Sequence, residues 1–217
     1  MKRLATGILA GGLALATAPA AHAASVGQFL ARGTFESMAD GQAQDVALTI
    51  AFKTGHIRIE SNSKDSGKSI ILATRGKDDV AMLDPVQKIV VHMKPSMLKA
   101  ASGVDSADIG SYQSLLDPVG FKGYIVKHGK KLGAGPSILG HATTLYQAER
   151  KGDGMKVWLA DDVSLPLQIE GHSASGGHFS IHITSLDLHP SFGAHEFDEL
   201  PPGYQDIRAE LNPPGDR

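Results

Sequence analysis

The chain has 217 residues, 21 Lys+Arg against 23 Asp+Glu, 6% aromatic residues and no cysteine. So even a charge balance gives no electrostatic reason for nucleic-acid binding. The missing cysteine rules out disulfides and a thioether-linked lipid anchor, so stability has to come from an ordinary apolar core.

The first 23 residues, MKRLATGILAGGLALATAPAAHA, carry Lys2 and Arg3, then an apolar run, then the small-residue site Ala21-His22-Ala23. That order predicts a secretory signal peptide cut after Ala23. Its removal leaves 19 Lys+Arg against 23 Asp+Glu, a formal net of −4. No later stretch approaches the ~20 apolar residues of a spanning helix. A free periplasmic or secreted protein is expected.

From residue 24 on, the dominant signal is period-2 alternation between short turn sequences, the mark of antiparallel strands with one buried face. A first strand is predicted around Phe29 to Ser37. Val46, Leu48, Ile50 and Phe52 then fall on one side of the next strand, KTGH turns the chain, and Ile57 and Ile59 return with Arg58 and Glu60 opposed. KSIILATRG and DVAMLDPVQKIVVHMKP follow, with Asp84-Pro85 supplying the turn chemistry between two short apolar strands.

The segment at about 95–117 differs. Ile109, Tyr112, Leu115 and Leu116 recur at helical spacing, Asp105 or Ser106 can cap the start, and Asp117-Pro118 is expected to stop the helix. Met97 and Leu98 suggest a short helical turn before it.

Strand patterns resume in GYIVKHGKKLG, SILGHATTLYQAER, MKVWLA, LPLQIEG and HFSIHITSLDLH, separated by KGDG, DDVS and HSASGG. The count reaches about 11 strands. Residues 206–217, ending in NPPGDR, are expected to form a flexible tail. The whole reads as one mainly β (α+β) domain over 24–205, with a helical insertion.

Motifs for catalysis or metal binding fall short of their templates. GHSASGG lacks the glycine that a nucleophile elbow needs, because position 175 is Ser, and it lies between two strands. SGKS at Ser66 to Ser69 lacks the earlier glycine of a phosphate loop, since position 62 is Asn. His195-Glu196 begins a zinc-protease pattern that fails at Glu199. His178 and His182 share a strand face but stand about 13 Å apart at ~3.3 Å per residue, so a metal would need cross-strand partners such as His172 or His141. No catalytic residue, metal or cofactor is assigned, and a non-enzymatic role is expected.

What remains is apolar surface. Val157 and Leu159, Leu167 and Ile169, and Phe179, Ile181 and Ile183 form one continuous face, while Lys156, Trp158, Gln168, Glu170, His178, Ser180 and His182 take the other. Alternation implies a sheet covered on one side and solvated on the other. One strong helix and a short second one are a thin cover for so many strands. A hollow is expected, lined by these seven apolar residues with Val46, Leu48, Ile50 and Phe52. Met97, Leu98, Ile109, Tyr112, Leu115 and Leu116 would form its lid. A hollow of this kind is the usual shape of a small-ligand or lipid site.

ILGHATTLYQAERKGDGMKVWLADDVSLPLQIE, followed by ITSLDLHPSFGAHEFDELPPGYQ, resembles the LolA/LolB-like superfamily of periplasmic lipoprotein carriers. The resemblance rests on Ile-Leu-Gly before a strand with Tyr146, on Val-Trp-Leu and Leu-Pro-Leu strands, and on Phe197, Pro201, Gly203 and Tyr204. It covers roughly residues 27–205 and implies an unclosed antiparallel half-barrel with a helical lid or plug. It further implies lipid or lipoprotein acyl chains as cargo, and the missing cysteine leaves the soluble rather than the anchored carrier. Arg58 stands without a motif matching the carrier's basic gating residue. The alternative is an envelope protein-interaction module with a filled core and no lipid cargo, in which Trp158 anchors a partner protein.

Overall fold

The computed structural model describes residues 27–39, 42–64, 67–77, 79–93, 118–150, 152–163, 165–174 and 176–208. The expected signal sequence and the six residues expected to form a lid, Met97, Leu98, Ile109, Tyr112, Leu115 and Leu116, lie outside them.

The strands are β1 (Gln28–Ala39), β2 (Gln42–Lys53), β3 (His56–Ser63), β4 (Gly67–Thr74), β5 (Val80–Asp84), β6 (Ile89–Met93), β7 (Lys130–Ala134), β8 (Thr143–Arg150), β9 (Asp153–Ala160), β10 (Pro166–His172), β11 (His178–Asp187) and β12 (Gln205–Arg208). Among the described residues one helix, α1 (Pro118–His128), precedes β7. All these strands join one open sheet in the order β12-β6-β5-β4-β3-β2-β1-β11-β10-β9-β8-β7. The pairs are antiparallel except β12 with β6. The mainly β antiparallel character read from the alternation, and the unclosed sheet that the resemblance implied, are therefore the observed ones.

Asp84 makes the β5–β6 turn as its type predicts, its Oδ1 accepting from the Val86 and Gln87 N–H groups at 2.8 and 2.9 Å. The junction of the two halves lies mid-sheet, where β1 pairs with β2 on one side and with β11 on the other. Ala73 of β4 and Val80 of β5 share one apolar cluster with Leu167 of β10 and with Ala160, Val163 and Leu165. A flat sheet would hold β4 and β10 about 24 Å apart at ~4.8 Å per strand, so the sheet curls around this inner face.

One element departs from the sequence reading. GYIVKHG was expected to be a strand and Asp117-Pro118 a helix stop, yet Pro118 opens α1, which runs to His128. Proline suits a first helical turn, where its missing N–H has no intrahelical partner to lose. Phe121 and Ile125, four apart, are buried on β8–β10, a spacing that short apolar runs hide. Gly129 ends the helix, its N–H donating to the Ile125 carbonyl at 2.8 Å.

The outer face also departs from expectation, because its first half is not solvated. Ile70, Leu72, Ala81, Leu83 and Val90 alternate with the inner-face residues of β4–β6 and form a second core, with Tyr204 packed against it. Continuous apolar runs such as SIILA bury both faces. The segment from His189 to Tyr204 is tied across this side. Arg58 Nε lies 3.4 Å from Glu196, the rings of His56 and Phe197 are 6.1 Å apart, and Glu199 accepts from Thr74 Oγ1 at 3.0 Å and Lys77 Nζ at 2.6 Å. β12 then continues to Arg208, three residues into the stretch read as a tail.

Candidate functional site

The inner face holds the candidate site. Phe29 and Ala31 of β1, Ile50 of β2, and Ile57 and Ile59 of β3 face Leu165, Pro166 and Leu167 at the start of β10 and Ile183 and Leu186 of β11, with Phe121 of α1 closing one side. They enclose about 90 Å³, and every lining residue is apolar. Phe29 stacks on Phe52 with ring centroids 5.2 Å apart, which stiffens one wall.

Of the eleven residues placed in the hollow from sequence, Ile50, Leu167 and Ile183 line it. Phe52 stands behind Phe29 in the same cluster. Val157, Leu159 and Ile169 lie beneath α1 with Phe121 and Ile125, where the helix fills the space. Phe179 and Ile181 are half-buried against that filled region. Val46 and Leu48, half-buried, pair with Phe35 and Gly33 farther along β2 and do not reach the hollow. Sequence reading omitted Phe29, Ile57, Ile59 and Phe121 from the lining. Alternation marks the first three as inner residues, but no local signal says which stretch of an inner face stays open.

The polar candidates sit elsewhere. Arg58 is on the outer face, 3.2 Å from Glu60 and 3.4 Å from Glu196, away from the hollow. Burial would raise the Glu60 carboxyl, but hydrogen bonds and charge from Lys68 and Arg58 outweigh it and hold the group below its usual value. Asp162 is likewise lowered: its slight burial is outweighed by the hydrogen bond from His141, 2.7 Å away. Ser173 Oγ accepts from the Gly177 N–H at 3.0 Å, so its hydroxyl is engaged in the link between β10 and β11.

His172 and His178 face each other across β10 and β11 with ring centroids 6.4 Å apart, beside Lys156 and Glu170 in an outer-face recess of about 150 Å³. Among the described residues no group of three His, Asp or Glu is placed to hold a metal ion. Trp158 is on the outer face and half-buried, with its indole so close to Gly135 that a Cβ there would stand 2.8 Å from Cδ1. Among the described residues no helix is long and apolar enough to cross a membrane.

No family model matches the sequence, and no curated protein does. Solved structures do match. An uncharacterized conserved protein from Thermus thermophilus superimposes with a TM-score of 0.54 at 10% identity, over 84% of this chain and 91% of that one. A putative outer membrane lipoprotein-sorting protein domain from Vibrio parahaemolyticus gives 0.43 at 12% identity, over 81% and 91%. A LolA superfamily protein from Nitrosomonas europaea gives 0.39 at 10% identity, over 76% and 88%. The likeness shown is one of fold: the chain shares the open, curled antiparallel sheet of the Thermus thermophilus protein across most of both chains.

Proposed function

We propose that the protein is a periplasmic carrier or sensor that binds an acyl chain or similar amphiphile in the inner hollow. The observation that carries this reading is the all-apolar lining of a space of about 90 Å³ inside a curled sheet. Apolar hollows without polar partners stay dry and take apolar guests. The resemblance of the second half of the chain to lipoprotein carriers, and the signal sequence at its start, support the same reading.

The volume limits the guest. Ligand pockets generally run to about 300–1,000 Å³, so this one admits the end of a single chain as it stands. A space of about 90 Å³ takes about three methylenes, and burying them at ~0.8 kcal/mol each gives about 2–3 kcal/mol, a weak hold before any headgroup contact. A multi-acyl cargo requires the walls to part.

The test is to purify the exported chain from a bacterial periplasm without detergent, extract it with organic solvent, and identify what is released by mass spectrometry. Recovery of a lipid or fatty acid is expected. A chain that yields no lipid and binds no hydrophobic dye overturns the reading. Ile50→Trp, which puts an indole into the hollow, should lower dye affinity about ten-fold while the circular dichroism spectrum stays that of a folded sheet.

A further inference from the structure

From Pro118 to Ala148 the chain contains Lys122, Lys127, Lys130 and Lys131 with His128 and His141, and no Asp or Glu. The rest of the chain after Ala23 has 15 Lys+Arg against 23 Asp+Glu, so this one stretch concentrates positive charge on an otherwise acidic protein.

The fold gathers that charge at one end of the sheet. α1 leads through Gly129 into β7, the terminal strand, which among the described residues pairs only with β8. Lys127, His128, Lys130 and Lys131 are exposed, and none of the four lysines has a carboxylate within ion-pair distance among the described residues. The nearby acids are engaged or distant: Glu149 accepts from Gln147, and Asp161 and Asp162 are held by Thr144 and His141 at the far end of the β7–β8 pair. Two apolar side chains break the surface among the lysines, Val126 at 48% and Leu132 at 42% exposure.

Lysines on a terminal strand guard against edge pairing, and this accounts for Lys130 and Lys131. It does not account for Lys122 and Lys127 on the helix, nor for a stretch cleared of acids. Basic side chains interleaved with exposed apolar ones are what an anionic bilayer surface attracts and what its headgroup layer accepts. An extended acidic peptide is less well served, because β7 is short and its register shifts between Lys131 and Gly133. We infer that the α1–β7 end of the molecule docks on an anionic phospholipid membrane surface. Phe121, which closes the hollow, belongs to the same helix.

Co-sedimentation of the chain from residue 24 on with vesicles tests this, using phosphatidylglycerol mixed with phosphatidylcholine and phosphatidylcholine alone. Binding to the anionic vesicles only, weakened by salt, is expected. A lysine near such a surface is worth about five-fold in partitioning. The Lys127→Glu, Lys130→Glu and Lys131→Glu triple variant should therefore fall by about a hundred-fold or more. Val126→Ser with Leu132→Ser should weaken binding and leave its salt dependence in place. Equal binding to both vesicle types, undiminished binding by the folded triple variant, or binding to polyglutamate with none to vesicles overturns the assignment. Ile50→Trp should bind vesicles as the wild type does, so failure of the hollow as a ligand site and failure of this surface are read separately.

Discussion

At Gly33 a methyl group would run into the carbonyl oxygen of His182 on the neighbouring strand, because β1 shifts register between Arg32 and Gly33 where it meets β11. Gly33→Ala is therefore expected to cost about 1–3 kcal/mol in urea denaturation, by backbone displacement with no loss of any contact. Leu167, 1% exposed and at the wall of the hollow, should lose about 2–5 kcal/mol as Leu167→Ala. Glu60 gives the pH dependence. Its carboxyl titrates lower in the folded chain than in the unfolded one, so its contribution is present above an unfolded pKa of about 4.3 and is lost as pH falls through the folded value. Glu60→Gln should flatten that acid limb of stability against pH, measured by denaturation at a series of pH values. An unchanged limb would mean that the Lys68 and Arg58 contacts do not persist in solution.

Among the elements, α1 and the C-terminal segment do opposite jobs. α1 fills the inner face over β8–β10 through Phe121 and Ile125 and leaves the β1–β3 side open, which positions the hollow. The segment from His189 onward seals the outer face of β3–β6 and ends as a parallel strand on β6. Tyr204→Ala should uncover that second core, costing about 1–3 kcal/mol and raising dye binding on the outer side even in the Ile50→Trp background. Hydrogen exchange at Gln205–Arg208 should quicken in the same variant, since among the described residues β12 pairs with β6 alone. Both elements were hidden to local reading for definite reasons. The α1 stretch buries Phe121 and Ile125 and is bounded by Pro118 and Gly129, so its pattern resembles a short strand. The C-terminal segment has little regular structure, and Phe197, Glu199 and Tyr204 tie it to strands more than a hundred residues earlier.

At the scale of the whole molecule, the central pairing of β1 with β11 joins the chain's beginning to its end, Leu30 opposite Asp187. Neither half is complete without the other, so a single cooperative unfolding transition is expected by both fluorescence and circular dichroism. A guest in the hollow stabilises only the folded chain. A fatty acid at a hundred times its Kd should add about 2.7 kcal/mol of stability in the wild type, and far less in Ile50→Trp. Alternation is a property of a few consecutive residues. It was enough to identify antiparallel strands, the inward side of Ile50, Leu167 and Ile183, and the outward side of Trp158 and Arg58. Where the inner face is filled and where it stays open depends on how far the sheet curls and where α1 comes to rest. Those are set by contacts between residues distant in the chain, as when Phe121 meets β10 or Tyr204 meets β4–β6, and no local period encodes them.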